Sequence, residues 1–144
     1  MQISSRFTVA LHVLACIDFF SKQFKVTSVF LANSVKVNAV VIRNILLQLK
    51  EAGLIRVERG TGGAYLNQSA DDISLLDVYK AIEPLENGML FRFHENPNQD
   101  CPVGKNIHEI LDGRLEAIQE VMELKMRSMS LSDVMNDLKD FISE

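Results

Sequence analysis

Residues 50–68 read KEAGLIRVERGTGGAYLNQ. A helix-like ending passes through Gly53 into two short apolar stretches, 54–58 and 64–67, separated by RGTGG at 59–63. Glycine takes positive φ without steric cost, so the stretch is predicted to be a hairpin with a glycine-rich reversal. A phosphate-cradling loop needs a Gly-Lys-Ser/Thr ending with a helix behind it, and a dinucleotide fingerprint needs another glycine where Tyr65 stands. Neither pattern is met.

What precedes the hairpin gives it a context. Asn38 is a good N-cap for a helix in which Ile42, Ile45, Leu46 and Leu49 recur at i, i+3, i+4 and i+7 and form one buried face. Gly53 closes that helix as a left-handed C-terminal residue. Before it, Thr27 or Ser28 caps a brief helix reaching about Ser34, and residues 35–37 form the turn. Ala32 is small enough to allow a close crossing, so the pair is a helix-turn-helix pattern. Followed by a two-stranded hairpin, this is a winged helix, with Arg59 at the base of the wing tip. A first helix over residues 7–20, capped by Ser4 or Ser5, is apolar almost all round and is expected to pack on more than one side. His12 and Cys16 lie one turn apart on it with no third ligand nearby. They read as a buried histidine and a small apolar thiol rather than a metal pair.

Downstream, Ser74 and Asp77 open another helix that ends at Pro84. Residues 86–101 lack a period and read as loop, with one short helical turn at 89–93. From Pro102 the chain is predicted helical to about Met129. Leu111, Leu115, Ile118 and Met122 alternate in spacings of four and three, a seam that wants a partner helix. Ser132 is expected to cap a last amphipathic helix. The fold class is mainly α with a small β-hairpin: a winged helix-turn-helix over residues 1–84, then a loop and C-terminal dimerisation helices over 85–144.

The 144 residues suffice to bury roughly two-thirds of the extended chain's surface without a disulfide. Two distant cysteines, no leader pattern and no apolar run near bilayer length predict a cytoplasmic protein. The net charge of −4 argues against a polyanion partner only until its distribution is read. Residues 1–68 hold eight Lys or Arg against three acids; residues 69–144 hold seven against sixteen. A basic half joined to an acidic half suggests one surface for a polyanion and another for something else.

SSRFTVALHVLACI, LANSVKVNAVVIRNILLQLKEAGLI, VERGTGGAYL, ISLLDVYKAIE, CPVGKNIHEI and MSLSDVM together resemble the Rrf-two family of winged-helix transcription regulators over nearly the whole chain. That family includes the bacterial iron-sulfur cluster regulator and cluster-free regulators of cysteine metabolism. The resemblance implies a homodimer held by the long C-terminal helix, a recognition helix in the major groove and a wing arginine in the minor groove of double-stranded DNA. Cluster-binding members carry three cysteines before the long helix. Here Met89 and Glu95 stand at the upstream two positions and only Cys101 remains, so no iron-sulfur cofactor is expected. Where cluster-regulator relatives commonly show serine, tyrosine and glutamate on the recognition helix, this chain has Val40, Val41 and Arg43, so its operator cannot be borrowed from theirs.

Stepping 100° per residue from the buried face puts Val40, Arg43, Asn44 and Leu47 on the opposite side, toward the groove. Arg43 can bond guanine bidentately or touch phosphate only, Asn44 can read adenine, and Val40 can lie against a thymine methyl. Arg59 is assigned to a narrow minor groove, with Thr61 beside it in the tip. Lys36, Arg56 and Arg6, with Lys25 and Lys50, are phosphate candidates. Cys101, at a helix N-terminus that favours a thiolate, is a candidate redox sensor. His94, Cys101 and His108 lie in a poorly patterned loop and its flank with no further metal ligand or oxyanion element, which argues against zinc and against an enzyme. The leading expectation is a dimeric, sequence-specific DNA-binding repressor; the sequence does not reveal whether a small molecule changes its affinity. The alternative is a winged-helix adaptor that binds protein through Val40, Val41 and Leu47 or through the acidic C-terminal half.

Overall fold

The computed structural model describes residues 3–60, 62–83, 85 and 88–143. Among them the chain forms α1 (Ser5–Phe20), α2 (Ser28–Val35), α3 (Ala39–Glu51), β1 (Ile55–Glu58), β2 (Gly63–Leu66), a 3-10 turn (Ala70–Asp72), α4 (Leu75–Ile82), α5 (Pro102–Arg127) and α6 (Leu131–Ile142). This is the winged helix-turn-helix followed by a long C-terminal helix that the sequence pattern predicts.

The start signals act through side-chain oxygens that satisfy otherwise unpaired N–H groups at helix ends. Ser4 accepts from Arg6 N–H at α1, Thr27 from Phe30 N–H at α2, and Asn38 from Val40 N–H at α3. At α4, Ser74 and Asp77 form a reciprocal capping box. At the end of α3, Gly53 has φ +78°, and Leu54 N–H and Gly53 N–H reach back to Leu49 O and Lys50 O. These two bonds make a Schellman ending that turns the chain into β1.

Three expectations need correction. Ser132 does not cap the last helix: Ser130 does, in a capping box with Asp133, because a carboxylate three residues on reciprocates the bond. Residues 89–93 form no helical turn; the Gln119 side chain instead holds this stretch open, accepting from Leu90 N–H and donating to Gly88 O. His12 is exposed rather than buried, since its ring lies along the rim where α1 meets α2, with Nε2 3.0 Å from Ser34 Oγ. Cys16 is buried as expected. Pro84, the expected stop for α4, lies outside the described residues; the helix ends at Ile82.

The core gathers Ala10, Val13, Leu14 and Ile17 of α1, Leu31 of α2, Ile42, Ile45 and Leu49 of α3, Val78 and Ile82 of α4, and Leu131 and Met135 of α6. Leu46, the fourth member of the predicted α3 face, is half-buried. Alpha6 therefore belongs to the core of the winged-helix body, across the sequence boundary expected at residue 84. Backbone bonds fasten it there: Leu131 N–H donates to Ile73 O and Leu75 N–H to Met129 O. Full burial of a leucine such as Leu131 contributes about 2 kcal/mol.

Candidate nucleic-acid interface

Alpha2 and α3 meet at a bend of 113°, within the range that helix-turn-helix pairs use. The bend turns on Lys36, which takes a left-handed conformation, φ 64° and ψ 44°, and donates its N–H to Ala32 O. Lysine carries a Cβ into a region where glycine is at home, a strain on the order of 1 kcal/mol. The same geometry leaves its side chain exposed beside the N-terminus of α3.

With Ile42, Ile45 and Leu49 inward, Val40, Arg43, Asn44 and Leu47 all face solvent. Val40 and Leu47 are each 52 % exposed, large apolar side chains on an outer helix face with nothing among the described residues to cover them.

Beta1 and β2 pair antiparallel from Ile55↔Leu66 to Glu58↔Gly63. The glycines of the tip answer distinct steric demands. A Cβ at Gly62 would overlap Glu58 Cβ, and at Gly63, with φ +81°, it would lie 2.9 Å from Val26 N. Ala64 N–H donates to Val26 O, so the wing is pressed against the segment entering α2. The reversal is a demand of the hairpin and its docking, and it presents Arg59 at the tip. Arg59 is exposed and has no hydrogen-bond or ion-pair partner among the described residues. Thr61 lies outside them.

Two of the predicted cations are engaged within the chain. Arg56 Nη1 lies 2.7 Å from Glu58 Oε1, and its guanidinium sits 4.6 Å from the Tyr65 ring centroid. Arg6 is half-buried and donates to Gln48 Oε1, while Gln48 Nε2 donates to Ile82 O. Both arginines brace the fold around α3 and the wing.

Between α3 and the wing runs an open groove of about 360 Å³, lined by Arg43, Leu47 and Lys50 of α3, Val57, Glu58 and Gly60 of the hairpin, and Thr27 and Ser28 at the start of α2. Two cations and a helix N-terminus converge there, an arrangement suited to an anionic backbone.

Alpha5 projects from this body and has no fully buried residue. Of the predicted seam, Leu111, Leu115 and Met122 are half-buried and Ile118 is 54 % exposed. A neighbouring stripe that the sequence reading missed is more open. Val103, Ile107, Ile110, Ala117, Val121 and Leu124 follow one strict heptad frame, and Val121 is 68 % exposed. Arg114, at the frame's central position, hid this signal.

Cys101 is the N-cap of α5. Its sulfur makes no capping hydrogen bond, yet the N–H groups of Gly104 and then Val103 hold the thiol below its ordinary value. His108 Nε2 lies 3.2 Å from His94 O. No three His, Cys, Asp or Glu side chains among the described residues are placed to hold a metal ion.

A sequence profile described as "Rrf2: Iron-dependent Transcriptional regulator" matches residues 3–137. Over 95 % of its length the chain is 45 % identical to YwnA of Bacillus subtilis (strain 168), which is named as an HTH-type transcriptional regulator and is covered to 99 %. A crystal structure described as that of a DNA-binding protein superposes with a TM-score of 0.73 at 39 % identity, covering 91 % of this chain and 99 % of that one. T. potens IscR shares the fold, with a TM-score of 0.70 at 17 % identity over 96 % and 88 % of the two chains. At the three positions compared with the cluster-binding cysteines stand Met89, Glu95 and Cys101, a thioether, a carboxylate and a single thiol. No single helix among the described residues is long and apolar enough to cross a membrane. With a matching profile across nearly its whole length and a close relative named as a regulator, the chain belongs to the Rrf2 family of transcriptional regulators.

Proposed function

We propose that the chain acts in the cytoplasm as a homodimeric, sequence-specific repressor that binds double-stranded DNA and works without an iron-sulfur cluster. The observation that carries this reading is the convergence of Arg43, Lys50, Gly60 and the α2 N-terminus on one groove, with Arg59 free at its edge. Alpha3 enters the major groove with Arg43 and Asn44 at base edges and Val40 and Leu47 against thymine methyls. Arg59 enters the adjacent minor groove. Lys36 and Lys50 meet phosphates, and Arg6 and Arg56 support the face that does so. Two copies joined through α5 by the stripe around Val121, with Leu111, Ile118 and Met122 at its flank and Leu115 left to the protomer's own cavity, set two recognition helices on half-sites about one helical turn apart. Repression follows from occlusion of the promoter.

In a gel-shift titration on a duplex selected from a random library, Arg59→Ala is expected to weaken binding at least several-fold, and unchanged affinity removes the wing from the mechanism. The exposure of Val40 and Leu47 favours one second reading, a protein-binding adaptor. An apolar protein contact at α3 would be indifferent to ionic strength, whereas duplex binding is not.

A further inference from the structure

On the far side of α5 from the Val121 stripe, residues 89–93 lie over the helix and with it line a half-open cavity of about 240 Å³. That is space for about eight waters or one small organic molecule. One wall is apolar and polarisable: Met89, Phe91 and Phe93 from the segment, with Leu115 beneath them. The other is acidic. Asp112 and Glu116 line it, and neither has a hydrogen-bond or ion-pair partner among the described residues. Arg92, between the two rings in sequence, is not among the lining residues. Gln119 fixes the geometry through its two backbone bonds to Leu90 and Gly88.

Aromatic faces and a thioether attract a positive charge held against them, and the two exposed carboxylates of Asp112 and Glu116 beside them reinforce that preference. We propose that this cavity binds a small organic cation with an apolar body, such as an alkyl- or aryl-ammonium compound, and that its occupation is felt at α3. An anion is repelled by Asp112 and Glu116. A bare metal ion finds two carboxylates and a hydrophobic wall, a poor exchange for its hydration shell. At 100° per residue, positions 112, 115, 116 and 119 lie opposite Val103, Ile110 and Val121, so a second copy docked on the stripe leaves the cavity open. The route to α3 is short. Alpha5 packs against α4, whose Ile82 O accepts from Gln48 of α3, and whose C-terminal Glu83 carboxylate accepts from both N and Oγ of Ser4 at the start of α1. The inference goes beyond DNA binding and is tested without DNA.

Benzyltrimethylammonium serves as the probe, with benzyl alcohol and benzoate as neutral and anionic comparators. Titration followed by the Met89 methyl resonance is expected to saturate at roughly millimolar concentration for the ammonium compound alone. The double substitution Asp112→Asn, Glu116→Gln changes exposed charges and leaves the core intact; it is expected to weaken that binding at least about tenfold. Saturating probe is expected to alter amide hydrogen exchange in α3 of the native protein and not of the double variant. Absence of saturation, equal binding of benzyl alcohol, or binding unaffected by the double substitution overturns the site, and unchanged exchange in α3 overturns the coupling.

Discussion

Arg6, in the first turn of α1, donates a hydrogen bond to Gln48 on α3, so the helix that faces the groove is held from behind by the chain's N-terminal segment. Gln48 passes the connection on to Ile82 O at the end of α4. A charged donor bound to a half-buried amide acts as a brace. Arg6→Ala is accordingly expected to lower stability by about 1–2 kcal/mol in urea unfolding. It should leave the salt dependence of DNA binding unchanged; loss of a phosphate contact would instead flatten the slope by about one.

Lys36 separates backbone strain from charge. Lys36→Gly relieves the left-handed conformation at the turn and is expected to hold or raise the thermal midpoint. It should weaken duplex binding through the lost phosphate contact. Lys36→Ala removes the same charge and keeps the strain, so it should bind like the glycine variant and melt below it.

The two thiols differ in kind. Cys16 is buried, whereas Cys101 stands at the N-terminal boundary of α5 with its pKa pulled below the ordinary 9.0 by the N–H groups of Gly104 and Val103. A depressed pKa means that the thiolate persists to lower pH than in the unfolded chain, and the preference disappears as pH falls through the folded value. Iodoacetamide should therefore modify Cys101 first, with a half-maximal rate below pH 9.0, and unfolding should move that midpoint upward. If Cys101 senses oxidants, Cys101→Ser should abolish the effect of peroxide on DNA affinity.

The heptad frame on α5 gives the dimer a specific test. Ile110→Glu with Val121→Glu places charges in the exposed stripe and is expected to yield a folded monomer by light scattering. Leu115→Ala acts on a side chain half-covered by its own protomer. Its expected effect is a loss of protomer stability, of lesser degree than the 2–5 kcal/mol of a fully buried leucine.

The helix-turn-helix and wing were legible because their signals are local. Asn38, Gly53 and the RGTGG tip each meet a backbone demand that few residues satisfy, and the 3.6-residue period from Ile42 to Leu49 fixes which face of α3 is exposed. The capping role of Ser130 was also written in the sequence, in its spacing to Asp133, but Ser132 competed for the reading. What stayed hidden depends on contacts between distant segments. Nothing near Arg6 in sequence announces Gln48, and the stacking of Arg56 on Tyr65 follows only once the hairpin register is known. On α5 two apolar stripes run side by side, and only the tertiary structure shows that residues 111, 115 and 122 face partly inward while 110 and 121 do not.

The salt dependence of duplex binding tests the central claim most directly. If two copies of the face built from Lys36, Arg43, Lys50 and Arg59 grip DNA, about four to eight phosphates are neutralised, and log affinity should fall linearly with log salt at a slope between about −3.5 and −7. A flat dependence, or no binding to a selected duplex at low salt, would contradict it.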